Sequence, residues 1–473
     1  GIEYFIETAD IGGLDDREPA GGYFSVQVSV ADVTKTGVQP GGSEQTAYRL
    51  ISIPLDLDDK TPSAVFEDDL GKYDDSAWRF FELRAGETYA EFPNTSVIEP
   101  GKAFWLIVKD GGKRIDTGPG KSKPTDEPFT FSLRPGWNLI GNPFNFAIPL
   151  DNVSLASGDS VHLRRYKGFW NDPDRNQVLE LAPFEGYALF NNSNSLTTLS
   201  IDPDLTVVGR LFKENPKRAH FEETSWSIQI MARCQQAQDF DNIALAVSGA
   251  SEEWDAMDSP EPPVIGEYVS VYFPHTEWGK PTDKFCTDAR PANAEGITWN
   301  FEVVTNIRDK VTLTFEQLEN VPEEFQVWLL DEVAHVSQNL RENKVYDVAG
   351  AGRKHRRQLK LIVGKPDFVN ELLRETRVVP SSFELFQNFP NPFNPSTTIR
   401  YGLPKQETVT LTIYNILGGE VVRLVNDQLK EPGYHAAVWD GRDHRGRVVA
   451  SGVFFMRLQA GRFVQVRKML MIQ

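Results

Sequence analysis

Apolar and polar residues alternate with a period of two along much of the chain. Phe24, Val26, Val28 and Val30 are separated by Ser25, Gln27 and Ser29; Trp226, Ile228 and Ile230 by Ser227 and Gln229; Val409, Leu411 and Ile413 stand against Thr408, Thr410 and Thr412. A strand points successive side chains to opposite faces, so each run predicts a β-strand with one face on a core and the other in water. Helical spacing is confined to a short stretch, Phe368 to Arg374. With 36 glycines and 30 prolines punctuating the runs, the pattern predicts an all-β protein, a string of immunoglobulin-like β-sandwich modules.

The runs also repeat. "YRLISIPLDL" from Tyr48 and "WNLIGNPFNF" from Trp137 share an aromatic residue, a Leu-Ile core and a proline. Each is followed by an aromatic-rich middle, "SAWRFFEL" at Ser76 and "YKGFWND" at Tyr166, and then by "EPGKAFWLIV" at Glu99 and "APFEGYALFN" at Ala182. This predicts two related β modules, 45–122 and 123–203. A third, 204–366, holds "TSWSIQIMAR", "EYVSVYF", "ITWNFEVV", "VTLTF" and "FQVWLLD", enough strands for a two-sheet sandwich. A polar linker, 367–382, leads to a last module, 383–473. At the other end, residues 1–44 open with "GIEYFIETADIGG", a strand and turn whose partners are expected upstream.

Charge narrows the partners. A formal net charge of -18 over 473 residues, with a pI near 5.0, repels nucleic acid and anionic lipid. The one basic run, "RKHRR" at Arg353 to Arg357, reads as a solvated loop. The longest apolar runs, such as "AFWLIV" at Ala103 to Val108, fall far short of a bilayer-spanning helix. Gly1 follows no initiator Met and no leader pattern, so a targeting segment is expected to have been removed or to lie upstream. Cys234 and Cys286 fit either one disulfide of an extracytoplasmic domain or two unpaired small hydrophobes, and their separation excludes a CxxC site.

"QNFPNPFNPSTTIRYGLP", Gln387 to Pro404, is a rigid, non-helical entry to the last module: Pro390, Pro392 and Pro395 fix φ, while Asn388, Asn391 and Asn394 supply side-chain turns. It is followed by "VTLTIYNILGGEVVRLV", "GYHAAVWDGRDHRGRVVASGVFFMRL" and "RKMLMI". In that order these segments resemble the C-terminal type A sorting domain of the type IX secretion system, whose immunoglobulin-like design is shared with the terminal domain of the flagellar hook-capping protein. The resemblance covers about a fifth of the chain; Gly419 replaces a basic residue usual in the family. It implies export across the outer membrane of a Bacteroidota-type or related bacterium, with the secretion machinery as a partner and an extracellular or outer-membrane-surface location. The paired modules resemble accessory β modules of large secreted proteins, and "GIEYFIETADIGG" resembles the last strand of a fibronectin type III-like domain.

Candidate chemistry is sparse. There is no HExxH and no G-x-S-x-G; "GPGKS" at Gly118 lacks the first glycine of a phosphate loop, with Ile115 in its place. The histidines at 162, 220, 275, 335, 355, 435 and 444 lack metal-ligand spacing and read as satisfied surface or edge residues. No cofactor is implied; calcium is the ligand closest to the acidic turns. Asp172, Asp174 and Asn176 open like a calcium loop, but Gln177 and Pro183 break it, and turn chemistry explains the same residues. Asp239, Asp241, Asn242, Asp255 and Asp258 (within "DFDN" and "EEWDAMD") form a second candidate set. Trp170, Trp254 and Trp278, in polar turn-like contexts, are candidates for stacking on a glycan, whereas Trp105, Trp137, Trp226, Trp299 and Trp328 sit on strand patterns and are expected in cores.

These features predict a secreted, cell-surface, non-catalytic protein with a structural or adhesive role. An extracellular filament or layer would form if the strand within residues 2–9 added to a sheet of another copy. The competing expectation is the accessory C-terminal region, for glycan or substrate binding and export, of a larger secreted hydrolase.

Overall fold

The computed structural model describes the backbone of residues 2–4, 6–9, 15–18, 24–26, 29–30 and 374, and backbone and side chains of 36–170, 178–204, 225–293, 295–334, 336–349, 355–373, 380 and 382–472. The chain is all-β, with two α-helices among the described residues, Pro62–Leu70 and Pro366–Arg374. It divides into two compact units, Gly1–Ala219 with Gly279–Thr282, and His220–Trp278 with Asp283–Gln473.

In the first unit the strand Arg49–Ser52 pairs antiparallel with Ala103–Val108, which pairs with Trp78–Arg84, and that with Thr88–Glu91. Ala103–Val108 is buried at every position, as a central strand covered on both faces must be. Phe104, Leu106 and Val108 join Ile51, Phe80 and Phe66 in one core. Trp105 packs edge-on against Tyr48 and Tyr166 at 6.2 and 4.7 Å.

The helix Pro62–Leu70 departs from the expectation that helical order is confined to Phe368–Arg374. Its stop and start signals are in the sequence: Thr61 Oγ1 accepts from the Ala64 amide, Pro62 occupies the first turn, and Gly71 ends it at φ 83°. Only Pro62, Val65 and Phe66 are buried, too few for an apolar stripe to show.

Gly136–Gly141 pairs with Gly186–Asn191, which pairs with Leu163–Arg165. The segments that share sequence with Arg49–Ser52 and Ala103–Val108 thus make the equivalent antiparallel pair. The first module also draws on chain ahead of residue 45: Ser29–Val30 pairs with Gly120–Ser122, and the Thr36 and Gln39 amides donate to Ile115 and Lys113 carbonyls at 2.8 Å. Ile2–Tyr4 pairs with Phe24–Val26, and Ile6–Ala9 with Asp15–Glu18. The opening strand therefore has partners within its own chain, downstream rather than upstream, which corrects its reading as an orphan awaiting another copy.

In the second unit one sheet runs Val336–Asn339, Gln326–Asp331, His355–Gly364, Gly296–Thr305, Val269–Pro274, Lys284–Pro291, Gln238–Val247, Trp226–Arg233, Val311–Glu316, Val345–Val348. Its two end strands follow each other in sequence, so the sheet wraps around one core that includes Ile228, Phe273, Trp299, Phe301, Leu313 and Leu361. Helix Pro366–Arg374 seats Val369 and Leu373 on Leu330 and Ile362. His355, Arg356 and Arg357, expected in a solvated loop, lie on a strand instead. Arg357 pairs with buried Asp331 at 2.7 Å and Arg356 with buried Glu302 at 2.9 Å.

The last module packs Glu384–Leu385, Thr397–Leu403 and Gly433–Trp439 against Glu420–Lys430, Glu407–Asn415, Gly452–Ala460 and Phe463–Met471. Its core includes Ile399, Tyr401, Leu411, Trp439, Met456 and Met469. The proline-rich entry covers the outer edge of the final strand. The Leu470 amide donates to Asn391 Oδ1 at 2.9 Å, the Phe393 amide to Leu470 O, and the Ile472 amide to Phe393 O, both at 3.0 Å. An open edge would invite pairing with other chains; here the stiff segment occupies it.

Candidate functional site

Among the described residues, a groove lies in the second unit. It is open, about 400 Å³ in volume, and lined by Glu252, Pro274, His275, Glu277, Arg290 and Asn293, together with Thr298, Asn300, Ile297 and Phe368. Strand geometry places its residues. Asp288 and Arg290 are two apart on Lys284–Pro291 and share a face, as do Thr298 and Asn300 on Gly296–Thr305. Gly296 lets the wall close: a Cβ there would stand 2.3 Å from the Phe368 ring.

Beneath the groove is a charged cluster. Asp288, fully buried, accepts from Arg290 Nε at 2.6 Å and Nη2 at 3.0 Å, a two-point fork. Arg290 Nη1 reaches Glu252 at 2.8 Å. His275, 5 % exposed, meets Asp288 through Nε2 at 2.8 Å and Glu277 through Nδ1 at 2.7 Å. Its ring stacks on Trp278 at 3.6 Å and 4°. Burial works against the charged imidazole, but hydrogen bonds and charge from Asp288 and Glu277 outweigh it, and the His275 pKa is raised. The same balance, burial opposed by Asp288 and Glu252, raises that of Arg290. Both ring nitrogens of His275 are spent on carboxylates, which fixes the ring in place and favours its charged form.

His275 was expected at a surface or edge; it is buried, with Asp288 and Glu277 satisfying its ring nitrogens and Trp278 stacked on the ring. The motif missed was D-x-R on a strand, Asp288 and Arg290, close behind "PHTEW". Trp278 reaches this cluster, but half-buried against His275 and, at 4.6 Å, Phe285. Trp170 is half-buried edge-on to Trp105 at 5.5 Å, and Trp254 is also half-buried. None of the three is the open platform expected for a glycan. Of the tryptophans expected in cores, Trp105, Trp137, Trp226 and Trp299 are buried, whereas Trp328 is half-buried beside the second helix.

The acidic candidates are spent on the backbone. Asp255 accepts from the Ser251 and Met257 amides at 2.8 and 2.7 Å, Asp258 from Asp255 and Ala289 at 2.8 Å, and Asp239 from Val271 at 2.7 Å. Asn242 donates to Ile230 O at 3.2 Å, and Asp241 is buried beside it. Burial raises the Asp258 carboxyl to about 6 and raises that of Asp239 as well. Among the described residues the group of carboxylates that does converge is a different one, Asp68, Asp69 and Asp116. Asp172, Asp174 and Asn176 lie outside the described residues. The cysteines are not joined to each other: Cys234 donates to Ala237 O at 3.3 Å and Cys286 contacts the Ser259 carbonyl at 3.4 Å.

No protein-family model and no curated protein sequence matches the chain. Among solved structures, 27 % of the chain aligns with 15 % of PorZ, an essential bacterial surface component of the type IX secretion system of Porphyromonas gingivalis, at 16 % identity and a TM-score of 0.15. Dimeric latent PorU from the same bacterium aligns over 53 % of this chain and 30 % of its own, at 12 % identity and a TM-score of 0.15. The chain spans less than a third of the length of either protein.

Proposed function

We propose that the chain is an exported, surface-displayed β protein with a structural or adhesive role, that it performs no catalysis, and that residues 383–473 are its sorting domain. One observation carries this reading. Three segments of the family resemblance, far apart in sequence, meet at Gly441: a Cβ there, at φ 75°, would lie 2.9 Å from both Pro395 O and the Met471 side chain. Trp439, two residues earlier, packs against Phe393 at 5.5 Å and donates to Arg442 O at 2.9 Å. The "FNPST", "WDGRD" and "KMLMI" segments are thus parts of one packing arrangement, which a chance resemblance would not require.

The test is transfer of export. Residues 380–473, fused to a periplasmic reporter in a bacterium that has the type IX machinery, carry it to the cell surface or medium, and deleting them from the full chain leaves the remainder in the periplasm. A fusion retained in the periplasm while the host's own substrates are exported overturns the reading. Assembly into a filament or layer is a finer proposal, read by electron microscopy over a concentration series. The accessory reading, in which the string serves a larger secreted hydrolase, draws support from the groove of the third module, a shape suited to holding a ligand.

A further inference from the structure

We infer that the groove beside Arg290 is a binding site for a neutral saccharide. Its volume of about 400 Å³ falls in the size range of small-ligand sites, and its chemistry selects among ligands. The Arg290 guanidinium is neutralised by Asp288 and Glu252, which leaves no free cation to hold a phosphate or carboxylate. Three carboxylates, Asp288, Glu252 and Glu277, face two cations, Arg290 and His275, so the cluster keeps a net negative charge that disfavours anions. The open lining is polar: the exposed Glu252 and Glu277 carboxylates can accept from hydroxyls, and uncharged groups stand beside them. Thr298 and Asn300 project from the outward face of Gly296–Thr305, and Asn293 is exposed, its Oδ1 taken by the Glu295 amide but its NH₂ free to donate. Pro274, Pro291 and Phe368 add a minor apolar share to a mainly polar lining. Hydroxyl, amide and carboxylate groups beside a small apolar patch suit an uncharged ligand with many hydroxyls.

The cluster beneath supplies rigidity. Arg290 is forked onto Asp288, Asp288 is held by His275, and His275 is stacked on Trp278, so the groove floor is ordered before a ligand arrives and little entropy is lost on binding. Trp278, proposed from sequence as a stacking platform, serves instead as a support for the imidazole.

The site is tested on the purified full chain by saturation-transfer NMR with glucose, galactose, mannose, N-acetylglucosamine and their trisaccharides, beside phosphate and acetate as charged controls. At least one neutral saccharide should give transfer, and the anions none. The double variant Thr298→Ala/Asn300→Ala removes two outward groups and should weaken that binding about tenfold with the thermal transition unchanged. Should that variant unfold early, Asn293→Ala serves in its place. Absence of transfer from every saccharide, binding of the anions instead, or unaltered affinity in the folded variants overturns the proposal. Because binding is read on purified protein, its failure is distinct from a failure of export.

Discussion

The third module and the last one are both two-layered β structures, yet they bury different chemistry. The third encloses Asp241, Asp258, Glu261, His275, Asp288, Glu302 and Asp331, all below a tenth exposed; the last buries Asn388, Ser396, Thr397 and Thr412, none of them charged. A buried charge that keeps its partners contributes little net stability, but one that loses them costs several kcal/mol. The third module should therefore be sensitive to pH and to single charge deletions, and the last sensitive mainly to loss of volume.

The largest effect that would test this contrast is at the tryptophans. Trp299 is fully buried and donates from Nε1 to Asp288 O at 3.1 Å, whereas Trp439 is buried among Phe393, Phe454 and the methionines. Either change to Ala should cost about 3–5 kcal/mol, with Trp299→Ala the larger because it also frees a buried carbonyl. Hydrogen exchange resolved by module should show each loss confined to its own sandwich; equal loss of protection in both would mean they unfold as one unit.

Next is Arg357→Met, which leaves Asp331 buried with Tyr346 and the Ala334 amide as its remaining donors. A loss of about 3 kcal/mol is expected, largely restored by adding Asp331→Asn, in chemical denaturation. In the last module the exposed Arg423–Glu420 pair should be removable without measurable change.

Acidification from pH 8 to 5.5 should move the two modules in opposite directions. In the third, His275 has a raised pKa, so its stabilisation is present at low pH and lost as pH rises through the folded value; Asp258, raised by burial from 3.8 to about 6, loses stabilising effect as pH rises between those two values and regains it as pH falls through 6. His355, lowered by burial, opposes them. In the last module His435 is lowered by burial, so its stabilisation is present above the ordinary imidazole pKa and fades on acidification. Thermal melts followed by module-specific exchange should show the third gaining on the order of 1 kcal/mol as the last declines. A shift of the same sign in both would break the comparison.

The contrast also explains what was legible in the sequence. Alternation such as Val409, Leu411 and Ile413 announces a strand because an apolar core asks only for correct spacing, and the all-β class follows directly. The helix at Pro62 was hidden because it buries a single turn, although Thr61, Pro62 and Gly71 mark its ends. The groove was illegible for a different reason: Asp288 on a strand and His275 and Glu252 outside strands mean nothing until the fold brings them together, and a polar residue inside a strand pattern reads as its wet face. The acidic turns misled in the opposite way, since Asp255 and Asp258 have the composition of ligands and the geometry of backbone caps.

The smallest predicted effect separates module from assembly. At the hairpin tip of the last module Ile416 and Leu417 are 72 % and 90 % exposed, and the turn is shaped by Asn415, whose Oδ1 accepts from the Leu417 and Gly419 amides at 3.0 and 2.9 Å. Leu417→Ser removes little buried surface and should change stability by less than about 0.5 kcal/mol, while Asn415→Ala, which releases two amides, should cost about 1 kcal/mol. If Leu417→Ser instead lowers the melting temperature of the concentrated protein but not of the dilute one, the tip is buried in a contact between copies, because only mass action makes stability depend on concentration. Two exposed aliphatic residues on a rigid turn would then be a docking element, and the last module would hold neighbouring copies.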